Sequence, residues 1–214
     1  MTKEQAIQMA RDVLGGRYGD VVVLDTETTG FDIGAEMIEI SAYHVQSGKT
    51  VSRLLRPASF VPESIERLTG ITNKILLAEN DVFHYELEIK NFLNEKVWVG
   101  YNVSFDLRMI HQTFLIHSIK FPPVPVLMVD AMVLASNYFQ VFNSVGGYKW
   151  FKLAEACERL GVAPEGRYHR SMADTMATYR VLDRIASAAL DGTESHKKDM
   201  TNVTTQKSED TLYL

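Results

Sequence analysis

Apolar and polar positions follow two periods along this chain, and each period predicts one type of element. Short apolar, β-branched runs between turn residues predict strands, and they cover residues 20–26, 36–46, 50–56, 97–100 and 123–129. Apolar residues that recur every three or four positions predict helices, over residues 2–14, 65–69, 82–93, 104–117, 131–136, 150–160 and 172–190. The polar turn at 47–49 predicts a hairpin, and hence an antiparallel meander of the first three strands. The unit 97–129 predicts parallel strands joined by a right-handed crossover.

The first predicted strand ends in two acidic residues. Residues 21–24 are apolar and typical of a strand buried on both faces, and Asp25 and Glu27 follow before the turn at Gly30. Because side chains alternate along a strand, these two carboxylates project from the same face, one pleat apart. Like charges in this arrangement repel unless a cation lies between them, and oxygen ligands suit Mg²⁺ or Mn²⁺. We therefore expect a divalent metal site at this strand end.

Two further carboxylates lie at the ends of predicted elements. Asp106 begins the helix after the fourth strand, and Asp174 begins the last helix, five residues after His169. Each has an ordinary explanation, because an acid in a first helical turn favours the macrodipole and Asp174 with Ser171 matches a capping box. Strand ends and helix starts on one sheet edge converge, however. Carboxylates gathered there predict two metal ions that clamp the oxygens of a phosphoryl displacement, with His169 as general base.

Composition limits the class of protein and its compartment. The 214 residues are 46% hydrophobic and 23% charged, which is ordinary for a globular protein. The single cysteine, Cys157, excludes a disulfide framework, and its apolar surroundings predict a buried residue in a reducing compartment. No leader and no membrane-length apolar run are recognisable, so we predict a cytoplasmic protein without membrane contact. The net charge of −5 weighs against nucleic acid, although a local basic strip beside an acidic metal site is sufficient to bind a strand.

The chain is predicted to have three parts. Residues 1–19 form a helix packed on the domain, 20–190 form the catalytic domain, and 191–214 form a polar, disordered tail. The tail ends in a small apolar cluster at 211–214 that suits docking on a polymerase or sliding clamp, although a free terminus is the favoured interpretation. The irregular segment 138–149 is interpreted as a surface loop rather than a substrate-touching one. The last helix carries a methionine and aromatic stripe that predicts its core face; the stripe is Met172, Met176, Tyr179, Leu182, Ile185 and Ala189.

Three segments resemble the exonuclease motifs of the DEDD superfamily. They are Asp25-Thr26-Glu27-Thr28-Thr29-Gly30, Asn102-Val103-Ser104-Phe105-Asp106 and His169-Arg170-Ser171-Met172-Ala173-Asp174. The histidine five positions before the last aspartate resembles the DEDDh, or DnaQ-like, branch. That branch includes the proofreading epsilon subunit of bacterial replicative polymerase. The resemblance runs from residue 21 to 190 and includes 65–72, 129–130 and 152–161, and three motifs in the right order make it specific.

This resemblance implies an α/β, RNase H-like fold: a five-stranded mixed sheet of order 3-2-1-4-5 flanked by helices. It implies a 3′–5′ exonuclease that releases 5′-nucleoside monophosphates from single-stranded or frayed 3′ ends, with DNA favoured over RNA. The implied ligands of two Mg²⁺ or Mn²⁺ ions are Asp25, Glu27, Asp106 and Asp174, with His169 as general base. The implied substrate contacts are Thr28, Thr29, Gly30, Phe31, Asn102 and Phe105. Phe31 replaces a wedge leucine common in the family, and an aromatic side chain there can stack on a base.

Other interpretations are open at this stage. RNA trimming is an alternative within the same class, because the motifs do not read the 2′-hydroxyl. A non-catalytic, polymerase-associated module on the same fold would have lost some of the five catalytic residues, all of which are present. Hydrolysis of small phosphate esters would use the same site. One departure from the family pattern, Tyr101 where many relatives have histidine, affects the expected substrate contacts but not the catalytic set.

Overall fold

A computed structural model describes residues 1–163, 166 and 169–190 of the chain. The predicted tail at 191–214 lies outside these residues. In chain order the elements are α1 (Lys3–Leu14), β1 (Val21–Thr28), β2 (Met37–His44), β3 (Thr50–Leu54), α2 (Glu63–Thr69), α3 (Asn73–Leu76), α4 (Glu86–Leu93), β4 (Val97–Gly100), α5 (Val103–Ile116), β5 (Leu127–Asp130), α6 (Ala131–Phe139), α7 (Leu153–Leu160) and α8 (Ser171–Ala186). The fold is therefore α/β, as predicted.

The strands form one five-stranded sheet of order β3-β2-β1-β4-β5. Strands β1, β2 and β3 pair antiparallel, which confirms the predicted meander, and β4 pairs parallel with both β1 and β5. The predicted mixed sheet and its strand order are confirmed. Because β1 is central, the residues at its carboxyl end lie at the middle of one sheet edge.

The two faces of β1 belong to separate hydrophobic cores. Val21 and Val23 pack in a core that also contains residues of α1, α6, α7 and α8. Val22 and Leu24 face the opposite core, which is formed largely with α4 and α5. All four side chains are fully buried, which confirms a strand covered on both faces. Side chains at the end of β1 can therefore meet α8 on one face and α5 on the other.

Several element bounds differ from the predicted ones. Strand β1 continues to Thr28, so Glu27 as well as Asp25 lies inside the strand. Strand β5 begins at Leu127 because the prolines before it have no N–H for a sheet hydrogen bond. Helices α4 and α7 also begin later than predicted, at Glu86 and Leu153, and turns or extended residues precede them.

The core face of α8 differs from the predicted methionine and aromatic stripe. Met172, Met176 and Tyr179 are only partly buried, and Ala189 is exposed. The fully covered positions are mostly small or polar at the start of the helix and aliphatic later; they are Ser171, Asp174, Thr175, Ala177, Thr178, Val181, Leu182 and Ile185. Small side chains allow the first turns of α8 to lie close against β1 and β2. The stripe prediction was wrong for the first half of the helix.

Helix α1 packs against the outside of the domain. Thr2 and Gln5 form a capping box at its start. The Arg11 guanidinium donates to the carbonyl oxygens of Ala186 and Ala188, at 2.7 Å each, and so ties α1 to the end of α8. Cys157 is buried beneath it in the same core, as predicted. Within the described residues no helix is both long and apolar enough to cross a membrane.

The segment 138–149 is partly helical. Tyr138 and Phe139 complete α6 and contribute to the core, and the remainder forms a short turn in which Phe142 and Tyr148 form an isolated antiparallel bridge. Phe142 and Val145 are exposed to solvent. This geometry agrees with the interpretation as a surface loop.

Candidate active site

Asp25 and Glu27 lie on the face of β1 that α8 covers. They continue the row of Val21 and Val23, which packs in the α8 core. Both are half-buried, and a register irregularity in the β1–β2 pairing follows directly at Glu27 and Thr28. Such a bulge commonly re-aims side chains next to functional sites. The sheet ladder therefore fixes both carboxylates at the edge where β1 ends.

Asp106 reaches the same edge from α5. It is 2% exposed, and the Thr26 hydroxyl donates a hydrogen bond to its Oδ1 at 2.8 Å. Gly100 ends β4 directly below it, and a Cβ at this position would lie 3.1 Å from Val103 and 3.2 Å from Asp106 Oδ2. The absence of a side chain at Gly100 therefore lets the first turn of α5 approach the strand closely. Thr26, from the α5 face of β1, links the two motifs.

Asp174 and His169 come from the start of α8. Asp174 is 9% exposed, and the backbone N–H of His169 donates to its Oδ2 at 3.0 Å. His169 has a left-handed backbone with φ of 63° and is exposed. Glu27, His169 and Asp174 each contribute a potential ligand atom, and these atoms lie within 4.8 Å of one another. The structure thus brings the third motif to the first.

The ordinary explanations for these acids apply only in part. Asp106 does lie in the first turn of α5, but it is buried against Thr26 and does not cap the helix. The proposed capping box between Ser171 and Asp174 is not formed, because the Ser171 hydroxyl instead shares a 2.6 Å hydrogen bond with Ser41. Arg170, which precedes α8, makes no side-chain capping bond. Helix capping therefore does not account for the position of either carboxylate.

Burial raises the pKa values of all four carboxylates, and neighbouring negative charges add to the effect. Burial chiefly raises the pKa of Asp25 well above its ordinary value, with further contributions from Asp106, Asp174 and Glu27. Burial likewise raises the pKa of Glu27 to about 8, and the charge of Asp174 makes the next largest contribution. It raises the pKa of Asp106 to about 7 against the opposing hydrogen bond from Thr26, and it raises the pKa of Asp174. Such a cluster is destabilised in its ionised form unless cations offset the charge.

The donor set fits a hard divalent cation. Every carboxylate offers oxygen, which Mg²⁺ and Mn²⁺ prefer. Asp174 Oδ1 is buried without a hydrogen-bond partner among the described residues, and a buried acceptor of this kind is destabilising unless something binds it. The other carboxylate oxygen, Oδ2, accepts a hydrogen bond from the His169 N–H, so Oδ1 is the atom available to a ligand. These features agree with a metal site between the three motifs.

The matching family decides the class of this protein. A family model described as exonuclease, of the RNase T type, matches residues 22–182. The chain belongs to this exonuclease family. It is a 3′–5′ exonuclease, and the match supports the resemblance of its three motifs to the DnaQ-like branch. The match includes every strand and every helix from β1 to most of α8.

Curated relatives of this exonuclease cover most of its length. It is 30% identical over 185 residues to the DNA polymerase III subunit epsilon of Aquifex aeolicus, covering 85% of this chain and 86% of the relative. It is 28% identical over 171 residues to an uncharacterised exonuclease, CP81, of Escherichia phage 186, covering 78% of this chain and 88% of the relative. Each similarity covers more than three quarters of this chain and of the relative.

Solved structures share the fold of the exonuclease. Exonuclease X in complex with 5′ overhanging duplex DNA superposes with a TM-score of 0.57 at 21% identity, covering 78% of this chain and 92% of that one. The nuclease domain of 3′hExo, a DEDDh family member bound to rAMP, superposes with a TM-score of 0.60 at 17% identity, with coverages of 78% and 90%. At this identity the likeness establishes the RNase H-like fold alone.

Thr28 and Thr29, two of the predicted substrate residues, form hydrogen bonds within the protein. The Thr28 hydroxyl donates to the Gly30 carbonyl at 2.7 Å. The Thr29 hydroxyl accepts from the backbone N–H of Glu36 at 3.0 Å, and the Thr29 N–H donates to the Glu36 carbonyl. Both threonine side chains are buried. These bonds shape the turn at Gly30, and they engage both threonine hydroxyls, the Thr29 N–H and the Gly30 carbonyl within the protein.

The remaining predicted substrate residues surround the turn after β1. Phe31 is 70% exposed, its ring centroid lies 5.8 Å from that of Phe105, and its carbonyl accepts a hydrogen bond from Arg108. Phe105 itself packs against the α5 core. Asn102 has a left-handed backbone, and its N–H donates to Asp130 Oδ1 at 3.0 Å. Phe31 is therefore an exposed aromatic side chain supported from below by α5.

Glu39 and Arg170 adjoin the candidate site, although sequence reasoning assigned neither a role. Glu39 lies on β2 directly opposite Glu27 on β1 and is 2% exposed. Its carboxylate pairs with the Arg170 guanidinium, with a shortest contact of 2.7 Å. A sequence signal was available, because a glutamate inside the apolar run of β2 must find a partner once it is buried. The partner lies too far along the chain to be identified from local pattern.

Proposed function

We propose that this exonuclease removes nucleotides one at a time from single-stranded or frayed 3′ ends of DNA, using two divalent ions and a histidine base. Asp25, Glu27, Asp106 and Asp174 would hold Mg²⁺ or Mn²⁺. When bound, the ions would offset the negative charge of the scissile phosphate and of the attacking and leaving oxygens. The observation that carries the proposal is the raised pKa of these clustered carboxylates together with the unpartnered Oδ1 of Asp174.

His169 has the position and chemistry of a general base. It is exposed at the rim, with a ring nitrogen near the carboxylate oxygens of Glu27 and Asp174. An imidazole can take the proton of the attacking water. As the water oxygen bonds to phosphorus, the bond to the 3′ oxygen breaks. The products are a 5′-nucleoside monophosphate and a strand with a new 3′-hydroxyl.

The substrate end would lie along the turn after β1. The backbone at Thr28 and Thr29 adjoins the carboxylates, and Phe31 is exposed beside them on the support of Phe105. Stacking of a base on an aromatic ring contributes about 1–3 kcal/mol. Phe31 would therefore hold the terminal base, and an unpaired end would reach this position more readily than a base-paired one.

The relatives support DNA as the substrate. A DNA polymerase III subunit epsilon is similar over most of both chains, and exonuclease X was solved with duplex DNA. The test is degradation of DNA and RNA strands of identical sequence, blocked at either end, in Mg²⁺ and in Mn²⁺. We expect a ladder that shortens from the 3′ end of DNA and is absent for Asp25→Asn. Faster degradation of RNA would assign the enzyme to RNA trimming, and degradation from the 5′ end would contradict the proposal.

A polymerase is the proposed partner. The DNA polymerase III PolC-type protein of Thermotoga maritima contains a region 29% identical to 78% of this chain, although the region is only 12% of that polymerase. Similarity both to a polymerase subunit and to part of a polymerase chain supports an association with replication. Co-purification with the replicative polymerase, and its loss when residues 191–214 are removed, would test this association and the docking role of the tail together.

A further inference from the structure

We propose that Glu39 and Arg170 form a clamp that positions His169 for catalysis. This inference rests on the proposed function, because it assigns His169 the role of base. The clamp is defined as the Glu39 carboxylate together with the Arg170 guanidinium. Both residues are positioning residues, since their side chains bond to each other and to the start of α8.

Both oxygens of Glu39 are occupied by protein donors. Oε1 accepts from Arg170 Nη2 at 2.7 Å and from Nε at 3.2 Å. Oε2 accepts from Nε at 3.2 Å and from the backbone N–H of Ser171 at 2.8 Å. This contrasts with Asp174, whose Oδ1 has no partner among the described residues. Glu39 is therefore a carboxylate satisfied within the protein, although it lies opposite Glu27.

The clamp is the outermost part of a polar row that joins β2 to α8. Ser41, two residues after Glu39 on the same face, shares a 2.6 Å hydrogen bond with Ser171. The Ser41 carbonyl also accepts from the Thr175 hydroxyl at 3.3 Å. Hydrogen bonds are directional, so they fix both the rotation of a helix about its axis and its position along the sheet. Apolar contacts between small side chains fix these less strictly. The row thus orients the first turns of α8 against the sheet.

His169 depends on this arrangement because it lies just outside the helix. Its left-handed backbone is unusual for a residue other than glycine, and surrounding contacts must maintain it. The backbone N–H of His169 donates a hydrogen bond to Asp174 Oδ2 at 3.0 Å. The neighbouring Arg170 is held by the bidentate pairing with Glu39, whose planar geometry fixes orientation as well as distance. These two attachments aim the imidazole at Glu27 and Asp174.

The decisive variants keep the charge of each clamp residue and change only its geometry. Arg170→Lys removes the planar fork, and Glu39→Asp shortens the carboxylate by one methylene. A displacement of about 1 Å at a catalytic group can lower the rate about 100-fold. We expect kcat to fall about 10- to 100-fold in each variant, with KM for a single-stranded oligonucleotide and Mn²⁺ affinity unchanged.

A background without the base shows whether the clamp acts through it. Single-turnover rates are measured for His169→Ala alone and combined with Arg170→Lys. We expect no further loss in the combined variant, because the group being positioned is already missing. A further loss equal to that of Arg170→Lys in the wild-type background would overturn the inference, as would weakened Mn²⁺ binding in Arg170→Lys.

Two controls separate the failure of the clamp from other failures. Arg17→Gln breaks an arginine–aspartate pair of 2.7 Å near the end of α1 and should leave kcat unchanged. Arg170 is partly exposed, so its lysine variant should keep the wild-type melting temperature, which circular dichroism checks. Full activity in Arg170→Lys with an inactive His169→Ala overturns the clamp alone. Full activity in His169→Ala overturns the proposed role of the base.

Discussion

Replacement of Glu27 by glutamine should stabilise the metal-free enzyme at alkaline pH while abolishing its activity. Burial raises the pKa of Glu27 from its ordinary value of 4.5 to about 8. The folded state therefore holds a proton between these two pH values that the unfolded state has already released. Stability from this group is complete below about pH 4.5 and is lost as the pH rises through about 8. Glutamine cannot ionise, so the variant does not lose this stability as the pH rises.

The size of the effect follows from the two pKa values. Their difference of about 3.5 corresponds to at most about 5 kcal/mol, at about 1.4 kcal/mol for each pKa unit. Glu27 is only half-buried, so solvent screening reduces this limit. We expect Glu27→Gln to gain about 1–3 kcal/mol over wild type at pH 9 in EDTA. For a protein of this size, that gain raises the melting temperature by about 2–12 °C.

Thermal and urea unfolding in EDTA at pH 5 and pH 9 measure this difference. The advantage of the variant should be small at pH 5 and largest at pH 9. Saturating Mg²⁺ should reverse the order, because a bound ion stabilises the wild type in proportion to its affinity. The exposed Glu158→Gln is the matched control and should show neither effect. A Glu27→Gln protein that is no more stable than wild type at pH 9 would refute the charge-repulsion reasoning.

Three further predictions follow from the surroundings of the carboxylates. Gly100→Ala adds a Cβ 3.2 Å from Asp106 Oδ2, so we expect it to destabilise the fold by about 1–3 kcal/mol. The variant should also need a higher Mn²⁺ concentration for half-maximal activity, and an unchanged requirement would contradict this. Thr26→Val leaves the buried Asp106 Oδ1 without this hydrogen bond, so it should weaken Mn²⁺ binding about 10- to 100-fold by calorimetry and destabilise the metal-free fold by about 1–3 kcal/mol. Phe31→Ala should raise KM for single-stranded DNA about 5- to 150-fold, the equivalent of about 1–3 kcal/mol of lost stacking, while kcat in steady-state assays stays near wild type.

Local pattern was sufficient for the individual strands, the meander and the parallel unit, whereas the strand order followed from the resemblance to the exonuclease family. The apolar run before Asp25 is typical of a strand covered on both faces, and the helix after β4 predicted a parallel neighbour. With the strand order fixed, the end of β1 and the start of α5 had to lie at one edge. The position of α8 could not be predicted in this way, because nothing in the local pattern specifies which face of the sheet this helix covers.

Sequence pattern could not predict contacts between side chains that are distant along the chain. The stripe predicted for α8 followed the size of Met172 and Met176, yet the helix approaches β2 through its serine and threonine side. The partner of Glu39 is 131 residues away in the sequence. Apolar periodicity carries no information about such polar pairings, since a hydrogen bond depends on the exact height and rotation of a helix. The assigned catalytic and substrate-binding roles stay predictions that the variants above test.

The central claim is that the four carboxylates hold two divalent ions, and a crystal structure grown with Mn²⁺ tests it most directly. Manganese is identified by its anomalous scattering, which separates it from water and from lighter ions. The account predicts two anomalous peaks, with ligands drawn from Asp25, Glu27, Asp106 and Asp174 and one ligand being Asp174 Oδ1. Saturating Mn²⁺ that leaves these carboxylates without an anomalous peak, or binds only elsewhere on the protein, would contradict it.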